Sequence, residues 1–154
     1  MNQPKPRSIL SIDVGHKRIG LAGCDPLGVT ISRLPAIHRA SFHEDLKQFK
    51  DVCHRRKVEG LLIGLPLNEK GALTKQAKYC QRYGKRLAIS LDLPMALINE
   101  HSSSWAAKEL YKMHNDRTGE LDSAVAGLLL EQWLREGPDI KPVQMPAYEI
   151  SQVN

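Results

Sequence analysis

The sequence predicts a three-layer α/β domain in which helices cover both faces of a central mixed five-stranded sheet. Two features carry this prediction. The N-terminal part contains three β-prone segments separated by short turns, a spacing typical of antiparallel neighbours. The rest of the chain alternates helical and β-prone segments, the order that parallel strands with crossover helices require.

The predicted antiparallel part begins with residues 8–14, SILSIDV, which are almost wholly apolar, as in a strand covered on both faces. A tight turn at Gly15 leads into a second strand, residues 18–24. A weaker third strand, residues 29–37, is interrupted by Pro35, which favours a place at a sheet edge.

The alternating part is predicted from apolar periodicity, and from the hydroxyls of residues 102–104, which can cap a helix. Its elements are helix 42–57, strand 60–66, helix 73–91, strand 94–98, helix 102–113 and helix 121–135. We expect one domain at residues 8–137, between a short N-terminal tail at 1–7 and an extended, proline-containing tail at 138–154.

The composition, with 42% hydrophobic and 25% charged residues, is that of an ordinary globular protein. No apolar run approaches the ~20 residues of a membrane span, and the N-terminus lacks the apolar core of a signal peptide. Three scattered cysteines favour free thiols in the cytoplasm over disulfides or a zinc site. The net charge of +5 is compatible with a polyanionic partner.

Three acids, Asp13, Glu100 and Asp122, lie at the ends of predicted elements. Asp122 also shares the apolar stripe of the last helix, where an ionised carboxylate needs a compensating partner. Each acid alone has an ordinary explanation as a turn former, a loop acid or a helix-start acid. If the three converge, their oxygens would suit Mg²⁺ or Mn²⁺, and two such ions can activate water and stabilise a leaving phosphodiester oxygen.

Cations accompany this pattern. Lys17 and Arg18 follow Asp13, and a basic stripe along the second helix contains Lys75, Lys78 and Arg82. Such a stripe is as typical of a solvated helix face as of a surface that follows a phosphate backbone.

Four blocks, DVGHKRIGLA (13–22), GLPLNEKG (64–71), INEHSSS (98–104) and LDSAVAGLLLEQWL (121–134), resemble in order and spacing the signature blocks of the YqgF family. These are Holliday-junction-resolvase-like proteins with an RNase H-like fold, also described as nucleases that mature the small-subunit ribosomal RNA precursor. The resemblance implies a metal-dependent phosphodiesterase with catalytic, metal-binding acids at Asp13, Glu100 and Asp122. It also implies that Lys17 and Arg18 meet a phosphate.

The chain departs from this family around Glu100. Asn99 and His101 stand where the family usually has Asp and Arg, and Ser103 and Ser104 stand for two threonines, so that the hydroxyls are kept. We expect His101, Ser103 and Ser104 to face the nucleic acid. Val125 stands where the family usually has Ala.

Two functions therefore remain open, and a third is disfavoured. The leading one is a divalent-metal endonuclease acting on structured nucleic acid, either the 5′ end of the 16S rRNA precursor or Holliday-junction-like DNA. The second is a nucleic-acid-binding module that has lost catalysis through the Asn99 and His101 changes. The third rests on a similarity of DVG to the phosphate loops of the actin and sugar-kinase superfamily, whose two large lobes 154 residues cannot supply. The sequence leaves monomer and homodimer equally open.

Overall fold

The computed structural model describes residues 7–66, 70–100 and 118–143 of the chain. Within these ranges there are five strands and three helices. The strands are β1 (Ile9–Val14), β2 (Arg18–Cys24), β3 (Ile31–His38), β4 (Gly60–Leu65) and β5 (Met95–Asn99). The helices are α1 (Phe42–Arg56), α2 (Lys75–Leu91) and α3 (Glu120–Glu136).

The five strands form one mixed sheet in the order β3-β2-β1-β4-β5. β1, β2 and β3 are joined as an antiparallel meander, whereas β4 and β5 run parallel to β1. The predicted mixed five-stranded sheet is thus confirmed, and the strand interrupted by Pro35 lies at its edge. The carboxyl ends of β1, β4 and β5 all point to the same edge of the sheet.

Helices cover both faces, which confirms the three-layer prediction. One core lies between the sheet and the α1–α2 layer and contains Leu10, Ile12 and Phe49. The other lies between the sheet and α3 and contains Leu62, Leu129 and Trp133. In the part of the chain that the structure describes, no helix is long and apolar enough to cross a membrane.

Two elements begin two residues later than the sequence predicts, because side chains compete for backbone groups. β3 begins at Ile31 and not at residue 29, since the N–H groups of Val29 and Thr30 donate to the Asp25 carboxylate. α2 begins at Lys75 because the Thr74 hydroxyl accepts a hydrogen bond from the backbone N–H of Ala77. Leu73, expected on the apolar stripe of that helix, is 49% exposed.

The beginning of the C-terminal segment lies against β5. The backbone N–H groups of Met95 and Lys141 each donate to the other's carbonyl, at 2.9 and 3.0 Å. Ile140 and Val143 pack against the two cores. The predicted helix 102–113 lies outside the described residues.

Candidate active site at the carboxyl end of the central strands

Asp13 lies near the end of β1 and is only 5% exposed. Two residues earlier, the Ser11 hydroxyl donates to the carbonyl of Ala126 in α3 at 2.7 Å. Because side chains alternate along a strand, Asp13 faces α3 as Ser11 does. The sheet therefore holds this carboxylate in the α3 layer, where desolvation disfavours a negative charge that has no cation nearby.

Asp122 lies against β2 opposite the strand pair that contains Asp13, because α3 approaches the sheet closely there. Gly20, the β2 partner of Asp13, contacts the backbone of Asp122, and a Cβ at Gly20 would overlap the Asp122 carbonyl oxygen. The Arg18 Nε donates to the Asp122 Oδ2 at 3.2 Å, in an ion pair that is largely shielded from solvent. The sequence stripe placed Asp122 towards the sheet without indicating this arginine.

Glu100 directly follows β5, and its N–H donates to the Leu65 carbonyl at 3.0 Å, which continues the β4–β5 ladder. Ala96 and Ile98 face α3, so alternation turns Glu100 to the same face. One of its carboxylate oxygens, Oε1, is inaccessible to solvent. With β4 between β1 and β5, Asp13 and Glu100 are two strand spacings apart, about 10 Å across the sheet.

All three predicted acids thus lie on one face of the sheet, towards the carboxyl ends of the parallel strands. Their carboxylate oxygens are the donors that Mg²⁺ and Mn²⁺ prefer. The Asp13 side chain and the Oε1 atom of Glu100 are shielded from solvent. The donor chemistry therefore fits a hard divalent cation. Among the described ranges, however, no group of three His, Cys, Asp or Glu side chains is already assembled as a metal-binding cluster.

The turn that follows Asp13, residues 15–17, is closed by a hydrogen bond from the Gly15 N–H to the Arg18 carbonyl. Arg39, just beyond β3, also stabilises this turn by hydrogen bonds to two of its carbonyls. The Arg39 Nη1 donates to the Gly15 carbonyl at 2.8 Å, and the Arg39 backbone N–H donates to the Lys17 carbonyl at 2.9 Å. This places the exposed side chains of His16 and Lys17 at the edge where the acids lie.

Behind Arg39 lies a second buried carboxylate. The Arg39 Nε is 3.9 Å from the Oδ2 of Asp45, whose side chain is 1% exposed and whose Oδ1 accepts the Ala40 N–H. The Arg39 guanidinium also lies over the rings of Tyr79 and Tyr83. Sequence reasoning missed Arg39, because its partners lie in the β1–β2 turn and on the helices α1 and α2, and no local pattern marks it.

The basic stripe of α2 is present on the surface. Lys75, Lys78 and Arg82 are all exposed and, with Gln81 and Lys85, line a depression of about 430 Å³. Lys75 lies in the first turn of the helix, near the carboxyl end of the parallel strands. The predicted contacts His101, Ser103 and Ser104 lie outside the described residues.

This arrangement, an antiparallel meander continued by parallel strands with acids at one edge, is that of the RNase H-like fold of resolvases. The solved structure of T. thermophilus RuvC in complex with a Holliday junction substrate has the same fold. It superposes with a TM-score of 0.55 at 15% sequence identity and covers 89% of this chain and 99% of its own.

The family model described as RuvX, Holliday junction resolvase, matches residues 7–136. A relative from Prochlorococcus marinus (strain MIT 9313), named "Putative pre-16S rRNA nuclease", is 61% identical over 99% of this chain and 94% of its own length. A relative of the same name from Parasynechococcus marenigrum (strain WH8102) is 59% identical over 92% of this chain and 90% of its own. The chain therefore belongs to the RuvX family, and so to a family of nucleases.

Proposed function

We propose that this protein is a divalent-metal-dependent endonuclease that hydrolyses phosphodiester bonds in the 5′ region of the 16S rRNA precursor. The observation that carries the proposal is the placement of Asp13, Glu100 and Asp122 on one face at the carboxyl edge of the sheet. The names of relatives about 60% identical over nearly the whole chain favour the RNA substrate.

Asp13, Glu100 and Asp122 are the residues that would hold Mg²⁺ or Mn²⁺. When bound, the metal supplies a nucleophilic water at neutral pH and stabilises charge on the phosphate. The β1 and β5 ladders fix the positions of Asp13 and Glu100. Arg18 orients Asp122 and adds positive charge beside it, and the exposed Lys17 is placed to bind a neighbouring phosphate.

Purified protein, incubated with a labelled 16S precursor RNA and with Mg²⁺, Mn²⁺ or EDTA, tests this function. We expect cleavage with either metal and none in EDTA. Cleavage that continues in EDTA would remove the metal from the proposal. Absence of cleavage under all three conditions, with binding retained, would favour the binding-only alternative that the Asn99 and His101 changes suggest.

Branched DNA is the second candidate substrate, and the description of the matching family as Holliday junction resolvases favours it. The same assay with a four-way DNA junction separates the two. If metal-dependent cleavage of the junction is faster than that of the RNA, the junction replaces the RNA as the proposed substrate. An rRNA substrate also implies the cytoplasmic location predicted from the cysteine content.

The exposed cations of α2 would follow the phosphate backbone away from the acids. Replacing Lys78→Glu together with Arg82→Glu should weaken binding and make the plot of log affinity against log salt less steep by about 2. The control is Lys47→Glu with Lys50→Glu, the same charge change on exposed positions of α1. If both pairs of substitutions change binding equally, the α2 stripe is an ordinary solvated helix face and does not bind the phosphate backbone.

A further inference from the structure

A row of four rings runs from the contact between α1 and α2 to the surface beside the turn that follows Asp13. It consists of Phe42, Tyr83, Tyr79 and His16, and we call it the aromatic row. The ring centroids are 5.7 Å apart for Phe42 and Tyr83, 6.4 Å for Tyr83 and Tyr79, and 5.9 Å for Tyr79 and His16. The last two rings are stacked, with 26° between their planes.

The row is fixed from several sides. The Arg39 guanidinium lies 5.5 Å from the Tyr79 centroid and 4.9 Å from that of Tyr83, and Arg86 lies 3.7 Å from that of Phe42. Tyr83 is buried, and burial raises the pKa of its hydroxyl, so that it stays uncharged. The rings therefore form a preorganised surface that adds no negative charge beside a phosphate.

The outer end of the row is accessible and lies at the candidate active site. His16 is exposed although it stacks on Tyr79. It follows Asp13 by three residues, a reach of at most about 10 Å along the chain. On α2, Tyr79 is four residues after Lys75 and three before Arg82, which makes it a neighbour of both on the helix surface.

A ring surface bordered by cations, next to acids that would serve phosphodiester cleavage, matches the chemistry of a nucleotide. The cations suit the phosphates, and the exposed ring suits the face of a base, whatever its sequence. We infer that the aromatic row, through His16, stacks on an unpaired base one or two nucleotides from the phosphate held at Asp13. The inference rests on the proposed function and adds a preference for unpaired nucleotides next to the cleaved bond.

Binding in EDTA tests this contact without any cleavage. The probe is a fluorescein-labelled RNA stem-loop with a single-stranded 5′ extension, and its partner is the same RNA with every nucleotide of the extension abasic. Anisotropy gives the dissociation constants of both probes for wild type, His16→Ala, Tyr79→Phe and Tyr79→Leu. His54→Ala, which removes an exposed histidine of α1, is the control.

We expect wild type, Tyr79→Phe and His54→Ala to bind the intact probe at least about fivefold more tightly than the abasic probe. His16→Ala and Tyr79→Leu should bind both probes alike. If His16→Ala weakens both probes by the same factor, or neither, the stacking contact is overturned while the proposed function stands. If wild type binds neither probe, the proposed function fails and the inference fails with it.

Discussion

The two turns of the N-terminal meander are held in different ways. The β2–β3 turn, residues 25–30, is held by its own first residue, since the Asp25 carboxylate accepts backbone N–H groups from Leu27, Val29 and Thr30. The β1–β2 turn, residues 15–17, is held by Arg39, which binds two of its carbonyls from beyond β3.

The difference indicates which of the two turns has to be placed precisely relative to the rest of the fold. The β2–β3 turn is stabilised by hydrogen bonds within the turn itself, and its apolar side chains Leu27 and Val29 are 74% and 77% exposed. The β1–β2 turn is tied to the tertiary structure, through Arg39 to Asp45 and through His16 to Tyr79. In the proposed function the β1–β2 turn binds substrate beside Asp13. It must then be oriented relative to β5 and α3, and only contacts from elsewhere in the fold can do that.

Removing the Arg39 side chain, which holds the β1–β2 turn, should have the largest effect on stability. Arg39→Met removes the hydrogen bond to the Gly15 carbonyl and leaves Asp45 buried without its cation. We expect the free energy of unfolding, measured with urea, to fall by about 3 kcal/mol. Arg33→Met removes an exposed arginine of β3 and is the control. A loss in Arg39→Met no greater than in the control would contradict the role of Arg39.

A pair of glycine substitutions compares β2, where it passes Asp122, with the β2–β3 turn. Gly20→Ala forces a methyl group against the Asp122 carbonyl, so we expect a loss of about 2 kcal/mol in unfolding free energy and, because Asp122 moves, slower cleavage.

The matched change in the β2–β3 turn is Gly28→Ala. Gly28 has φ of 70°, so an alanine there should cost about 1 kcal/mol of unfolding free energy and leave cleavage unchanged. Equal cleavage by both variants would show that the approach of α3 to β2 does not position Asp122 for the reaction.

The smallest effect concerns the acid range. The hydrogen bond from the Thr30 backbone, followed by those from Val29 and Leu27, lowers the pKa of Asp25 below its ordinary value of 3.8. A carboxylate with a lowered pKa stabilises the fold above its ordinary pKa, and this contribution disappears as the pH falls through the lowered value. The melting temperature of wild type should therefore exceed that of Asp25→Asn slightly at pH 7, and the two should converge as the pH falls through the lowered pKa. A difference independent of pH would contradict this.

Most of the fold could be predicted from the sequence because it follows from local patterns. The apolar runs of β1 and β4, the meander and the position of Pro35 led to the observed sheet. The start of α2 was missed because Leu73 fits the apolar periodicity, whereas the Thr74 cap decides where the helix begins.

The site could be predicted only in part. Asp13, Glu100 and Asp122 stand out as acids at element ends, but the Asp122 ion pair with Arg18 joins residues 104 positions apart. Arg39 and the aromatic row likewise depend on how α1, α2 and the β1–β2 turn pack together. No local pattern contains that information, because side chains from three separate elements have to meet.

In the proposed function, the turn beside Asp13 belongs to the active site, whereas the turn at Asp25 is structural. The most direct test measures Mg²⁺-dependent cleavage and melting temperature for Asp13→Asn and Asp25→Asn, two identical chemical changes. We predict that Asp13→Asn remains folded and that its cleavage rate is lower by about 100-fold or more. Asp25→Asn should cleave at the wild-type rate and have a slightly lower melting temperature. Normal cleavage by a folded Asp13→Asn protein would remove Asp13 from the proposed active site.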